Sequence, residues 1–222
     1  MNDVLQAELT ATYDRRFAER SDYRRRVWAI LVREFFQSLI PEHGTVLDLG
    51  CGWGEFVNQI RARRRFGMDL NPSCPDHLEE GVTFLHQDCA QRWNLDDNSL
   101  EAIFTSNFLE HLATKAALQA TLTEAFRCLR PGGRIICLGP NIKYLPGAYW
   151  DFWDHFVPLT DLSLKEGLEL IGFRVERCVD RFLPYTMATG FRWPPRTVSL
   201  YLRLPLLWRW IGKQFLLIAV KP

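Results

Sequence analysis

The chain has 222 residues, 47% of them hydrophobic, with 27 basic and 26 acidic side chains and a formal net charge of +1. That length suits one domain with a full core. The near-neutral balance argues against a nucleic-acid-binding protein, whose domains show a strongly basic face. The opening "MNDVLQAELT" lacks the charged-then-apolar pattern of a signal peptide, and no apolar run approaches the roughly 20 residues needed to cross a bilayer. The six cysteines include no C-x-x-C pair, which reads as reduced thiols in a cytoplasmic protein.

Residues 22–39 place Val27, Leu31, Phe35 and Leu39 on one stripe, with Trp28, Val32 and Phe36 beside them, which predicts an amphipathic helix. Seven arginines lie between Arg15 and Arg33, balanced by Asp14, Glu19, Asp22 and Glu34, and read as a solvated face. "TVLDLG" (45–50) predicts a buried strand, "EFVNQIRAR" (55–63) a helix, and "RFGMDL" (65–70), "VTFLHQD" (82–88) and "LEAIFTS" (100–106) three more strands. A helix from Lys115 to Leu129 is stopped by "RPGG", since proline cannot continue it and glycine can cap it. "RIICLG" (134–139), "FRVERCVDRF" (173–182) and "QFLLIAVK" (214–221) are the remaining strands, and "SLKE" (163–166) has the capping-box pattern of a helix ending at Gly172. Residues 197–211, apolar with interspersed arginines, read either as a membrane-docking surface or as a crossover packed on the sheet. Pro205 favours the crossover. Alternating strand and helix imply an α/β fold with a mostly parallel sheet, and ligands then lie at the carboxyl ends of the strands.

The first strand runs into "VLDLGCGWGEF", whose glycines Gly50, Gly52 and Gly54 are spaced G-x-G-x-G. A dinucleotide loop is spaced G-x-G-x-x-G and cradles a pyrophosphate. Here Asp48 sits beside the loop, where a carboxylate repels pyrophosphate and suits an ammonium or sulfonium. Asp69 ends the second strand, 19 residues after Gly50, a place from which an acid accepts ribose hydroxyls. Asp88 ends the third and could accept from an exocyclic amine, as on adenine.

"VLDLGCGWGEF", "GMDLNP", "HQDC", "FTSNFLEHL" and "LRPGGRIICLGPN" resemble, in order, the motifs of the class I S-adenosylmethionine-dependent methyltransferases. The resemblance implies a Rossmann-like seven-stranded sheet of order 3-2-1-4-5-7-6, the last strand antiparallel, with helices on both faces. It implies S-adenosyl-L-methionine against Gly50, Cys51, Gly52 and Gly54, with Asp69 and Leu70 at the ribose, Asp88 and Cys89 at the adenine, and Asn107 by the methionine portion. Arg24 is a candidate for the donor's carboxylate and Tyr13 for closing over the site. One domain is expected over 1–222, with a helical cap at 1–40, a donor-binding core at 44–140, an acceptor-side insertion at 141–161, and the rest of the sheet at 162–222.

The insertion contains "GAYWDFWDHFVPLTD" (147–161), in which five aromatic side chains stand among three aspartates and a histidine. A helix over Tyr149–Phe156 would put Asp151 and His155 on one face. His155, oriented by Asp151 or Asp154, is the first candidate for a general base, and His111, in "FLEHL", is the second. Tyr149, Trp150 and Trp153 are candidate walls of the acceptor site, since rings stack on sugars and carboxylates accept their hydroxyl protons. No metal cluster stands out, although Asp151, Asp154 and His155 could hold a hard cation. This stretch and "SLKEGLELIGFRVERCVDRFLPYTM" resemble a narrower subgroup found with bacterial surface-polysaccharide biosynthesis, which implies O-methylation of a sugar or glycan, whether lipid- or nucleotide-linked. A methyltransferase for a small lipid or quinone, and a subunit that binds the donor without transferring its methyl, are the alternatives.

Overall fold

The structure, a computed structural model, describes residues 21–185 and 194–222. Its strands are β1 (Thr45–Leu49), β2 (Arg64–Asp69), β3 (Val82–His86), β4 (Leu100–Ser106), β5 (Leu129–Pro140), β6 (Arg174–Leu183) and β7 (Gln214–Val220). They form one sheet in the order β3-β2-β1-β4-β5-β7-β6. The pairs from β3 to β5 are parallel, and β7 runs antiparallel to both β5 and β6. The helices are α1 (Ser21–Glu34), α2 (Lys115–Cys128), α3 (Asp161–Ile171), α4 (Pro195–Leu202) and α5 (Pro205–Ile211).

Side chains alternate across a strand, so a central strand must feed two cores. In β5, Ile135 and Cys137 enter one core while Ile136 and Leu138 enter the other. β7 repeats the pattern with Phe215, Leu217 and Ala219 against Leu216 and Ile218. Leu118, Leu122 and Ala125 of α2 and Leu164 and Leu168 of α3 cover the first face. Leu31 and Val32 of α1, Leu202 of α4 and Trp208 of α5 cover the second. Residues 197–211 are thus a crossover between β6 and β7, cut in two at Pro205. Trp208 donates to the Tyr201 carbonyl at 2.9 Å and Tyr201 to the Phe182 carbonyl at 2.7 Å.

Local chemistry sets the helix ends and corrects three boundaries. The amphipathic stripe at 22–39 stops being α-helical at Glu34 and tightens into a 3-10 turn at Phe36–Leu39. α2 starts where the Thr114 side chain accepts from the Ala117 amide at 3.0 Å. It ends at Cys128 with Leu129 already extended, so "RPGG" opens β5 instead of capping the helix. α3 begins two residues before "SLKE", because Thr160 is the N-cap and Ser163 completes the box. Gly172, at φ 114°, ends it.

Two expected helices do not form. Residues 55–63 make a single helical turn, with Asn58 N–H on Gly54 at 3.0 Å and Ile60 N–H on Phe56 at 3.1 Å. The next rung fails because Arg61 N–H goes to the Gln37 side chain at 2.9 Å, while Arg65 donates to the Val57 carbonyl at 3.2 Å. Residues 149–156 hold only the end of a short 3-10 turn, Ala148–Asp151, followed by an irregular segment. Its amides are drawn to β4's exit instead, Phe156 and Val157 donating to the Glu110 carbonyl at 2.9 and 3.1 Å.

Candidate active site

β1 delivers the chain into a loop that only glycine can form. Gly50, Gly52 and Gly54 have φ of 72°, 49° and 76°, the left-handed region that L side chains avoid. A Cβ on Gly50 would lie 2.2 Å from the Phe108 ring. The amides of Gly50 and Cys51 both donate to the Met68 carbonyl, at 2.9 and 3.1 Å, which fastens the loop to β2.

Three carboxylates surround this loop. Asp48 is buried and accepts from the Val57 amide at 3.2 Å. Burial first, then the charges of Glu55 and Asp69, push its carboxyl well above the usual range, so a cation arriving here restores its charge. Asp69 accepts from the Gly52 and Asn71 amides, both at 2.9 Å, and so shapes the loop from the end of β2. Glu55 is held by Arg24 at 2.7 Å. This donor set repels phosphate and accommodates a cationic ligand.

A cavity of about 380 Å³ opens beside the loop, lined by Asp48, Gly50, Cys51, Gly52, Glu55 and Arg24 on one side. That volume is within the range of small-molecule sites. Its walls are largely apolar, built from Trp28, Phe56, Phe104, Leu138, Tyr201 and Leu207, and its polar end is Glu110, His111, Asp154 and His155. Asn107, at φ 49°, turns β4 into this end.

The polar end joins two distant segments. His111 Nδ1 lies 3.2 Å from Asp154 Oδ2 and 2.9 Å from the Asp154 carbonyl. Burial alone lowers the His111 pKa, but the Asp154 hydrogen bond and the Glu110 charge outweigh it and raise the ring above its ordinary value. Glu110 is 1% exposed. Burial lifts its carboxyl to about 7, with His111 pulling the other way. His155 is 5% exposed, stacked on Phe152 at 4.9 Å and edge-on to Tyr149 and His111 at 4.7 and 4.8 Å.

Several candidates stand elsewhere than the sequence reading put them. Asp154 meets His111, with its carboxylate 3.2 Å and its carbonyl 2.9 Å from Nδ1. Asp151 is exposed and lines no part of the cavity, because the helix that would bring it beside His155 is absent. Tyr149 is 0% exposed in a small core with Leu145 and Tyr185, its hydroxyl donating to the Val157 carbonyl, so it supports the site and does not face it. Trp150 and Trp153 are 53% and 79% exposed and lie outside the cavity lining. Gly54, Asp69, Leu70, Asp88 and Cys89 also lie outside it, at the ends of β1, β2 and β3. Leu70 and Asp88 are exposed, and Cys89 is buried against Thr121 at 3.4 Å. Tyr13 lies outside the described residues. Glu110 was not singled out in the sequence, where it is only the neighbour of His111 in "FLEHL". It sits in a 3-10 turn, Leu109–His111, with its side chain turned inward.

Residues 46–133 match a family described as a methyltransferase domain. This stretch is similar to a methyltransferase domain. The cofactor of such a domain is S-adenosyl-L-methionine, and the cationic preference of the loop agrees with it. The chain is 33% identical over 138 residues to a protein of Mycolicibacterium smegmatis described as a probable S-adenosylmethionine-dependent methyltransferase, covering 59% of this chain and 52% of that one. It is 25% identical over 154 residues to the demethylmenaquinone methyltransferase of Symbiobacterium thermophilum, covering 60% and 59%. The chain thus spans between half and three fifths of the length of these two relatives. Its fold is that of a SAM-dependent methyltransferase of Archaeoglobus fulgidus, with a TM-score of 0.68 at 22% identity over 92% of this chain and 99% of that one.

Proposed function

We propose that the protein transfers the methyl group of S-adenosylmethionine to a hydroxyl oxygen of a sugar or glycan, in the assembly of a polysaccharide. One observation carries the reading: four polar side chains, Glu110, His111, Asp154 and His155, close the cavity that the glycine loop opens. A hydroxyl is a weak nucleophile until its proton is accepted, and an imidazole held by a carboxylate is suited to accept it. The exposed rings of Trp150, Trp153 and Phe156, in the same segment as Asp154 and His155, offer a stacking surface for sugar units beyond the reacting one.

When bound, S-adenosylmethionine supplies an electrophilic methyl on a sulfonium. The chain's own part is alignment and proton transfer. The loop from Gly50 to Gly52, shaped by Asp69 through the Gly52 amide, and the acid Asp48 would hold the donor end. Trp28, Phe56 and Phe104 keep water from the reacting centre. The acceptor oxygen must approach opposite the departing sulfur, to about 3–3.5 Å, and fixing that geometry supplies much of the rate. His111 and His155 face the same cavity and are placed to take the hydroxyl proton.

A second reading rests on the apolar walls, which also suit a quinone or small lipid, and one relative is named for a demethylmenaquinone. The test is methyl transfer from labelled donor to free sugars, nucleotide sugars, lipid-linked glycans and demethylated quinones. Label in a glycan fraction supports the first reading, and label in quinone alone overturns it. Donor binding with no transfer to any acceptor would leave a binding subunit.

A further inference from the structure

The polar end of the cavity holds two carboxylates, Glu110 and Asp154, and two imidazoles, His111 and His155, with Glu110 and His155 buried. Glu110, His111 and His155 bring one possible ligand atom each within 4.8 Å of one another. Glu110 Oε1 is buried with no hydrogen-bond partner among the described residues. A buried carboxylate oxygen left unpartnered is costly unless a cation or a proton compensates it.

The second shell is already in place. His111 Nδ1 faces the Asp154 carboxylate at 3.2 Å and its carbonyl at 2.9 Å, so the hydrogen sits on Nδ1 and the lone pair on Nε2. Metal-binding histidines are oriented this way, by a carboxylate or carbonyl on the other nitrogen. The Phe152 and Tyr149 rings hold the His155 imidazole in plane from two sides. The Phe156 and Val157 amides clamp the Glu110 backbone, which brings the segment with His155 against the segment with Glu110 and His111.

We propose that Glu110, His111 and His155 form a binding site for one divalent transition-metal ion at the acceptor end of the cavity. Two imidazoles and one carboxylate suit ions of intermediate softness such as Mn²⁺, Fe²⁺, Co²⁺ or Zn²⁺. Three protein ligands leave open positions facing the cavity, which is the arrangement of a catalytic site and not of a closed structural one. Oxygen ligands of an acceptor, such as neighbouring hydroxyls of a sugar, fit those positions. The ion makes a bound hydroxyl more acidic; as its ligands the two imidazoles act through the ion in place of accepting the proton themselves, and the proton leaves to water. This role deepens the glycan reading and rests on it, whereas ion binding itself does not.

Co²⁺ is the probe, because its visible absorption reports nitrogen and oxygen ligands directly. Chain purified with chelator is titrated with Co²⁺ in the absence of donor and acceptor, and S-adenosylmethionine affinity is measured in parallel by calorimetry. The expected result is one Co²⁺ per chain, with the affinity of Glu110→Gln and of His155→Asn reduced by at least about tenfold and donor affinity kept in all three. Retained donor binding shows that the variants fold. Co²⁺ binding that is absent, or equal in wild type and Glu110→Gln, overturns the site while the transfer reading stands. Stoichiometric Co²⁺ lost in both variants, together with no methyl transfer to any hydroxyl acceptor, supports the site and overturns the transfer reading instead.

Discussion

His111 and Asp154 lie 43 residues apart in the chain and meet with Nδ1 3.2 Å from Oδ2. The contact fixes which nitrogen of His111 faces the cavity. Asp154→Asn keeps the size of the partner and its carbonyl contact but removes the charge that makes the ring more basic. Activity, or affinity for a divalent ion, is expected to fall about 10–100-fold with donor affinity unchanged. Steady-state kinetics and donor calorimetry on the one variant check both halves.

Removing either ring tests the assignment of the proton acceptor. His111→Ala and His155→Ala are each expected to lower kcat about 10²–10⁴-fold while the donor binds as before. If His155→Ala stays within a few-fold of wild type and His111→Ala is inactive, the Asp154-held ring is the one that acts, and His155 is a wall.

Asp69 accepts two amides of the donor side, from Gly52 and Asn71, in addition to any ribose hydroxyl. Asp69→Ala should therefore weaken S-adenosylmethionine binding by about 1.5–3 kcal/mol or more, each charged hydrogen bond being of that order. That is at least about tenfold in Kd, measured by calorimetry. An unchanged Kd would show that Asp69 shapes the loop without touching the donor.

Gly50→Ala forces a Cβ to within 2.2 Å of the Phe108 ring at a φ of 72°. The backbone strain alone is about 1–2 kcal/mol, and displacing the ring adds to it. Urea unfolding should show a lower midpoint, and donor binding should fall with it. Trp153→Ala makes the contrast. That ring is 79% exposed, so stability should stay within about 0.5 kcal/mol. A raised acceptor KM with kcat kept would show that it stacks on the acceptor.

Asp161 gives a pH dependence whose sign follows from its surroundings. Burial works against its charge, but Lys143 at 2.8 Å and Asn141 at 2.9 Å outweigh it and hold the carboxyl below its ordinary value. A depressed folded pKa adds stability that is complete above the unfolded value of about 3.9 and lost as pH falls through the folded one. Asp161→Asn should therefore unfold in less urea than wild type at pH 7, and the gap should narrow below about pH 4. A gap independent of pH would show that the Lys143 pair contributes nothing.

The fold was written in short-range patterns. Apolar runs such as "TVLDL" and "QFLLIAV" are long enough and apolar enough to be buried on both faces, and the motif order carried the strand order with it. The donor loop was legible for the same reason: Asp48, the three glycines and Asp69 are tied by spacing along adjacent strands, and parallel register converts that spacing into position. The polar end of the cavity was not legible, because its pairings compete across the chain. Asp151 and Asp154 are equal candidates in sequence for the partner of His155. Only the Glu110 carbonyl, by drawing the Phe156 and Val157 amides to β4's exit, breaks the helix that would have paired Asp151 with His155 and turns Asp154 to His111. Likewise the turn at 55–63 is cut short by Gln37 and Arg65, side chains from outside it. Sequence determined which residues form the sheet and the glycine loop, since those depend on neighbours a few positions away. Tertiary structure decided which carboxylate meets which histidine, since a buried hydrogen-bonding group takes whatever partner the packed chain brings within 3 Å.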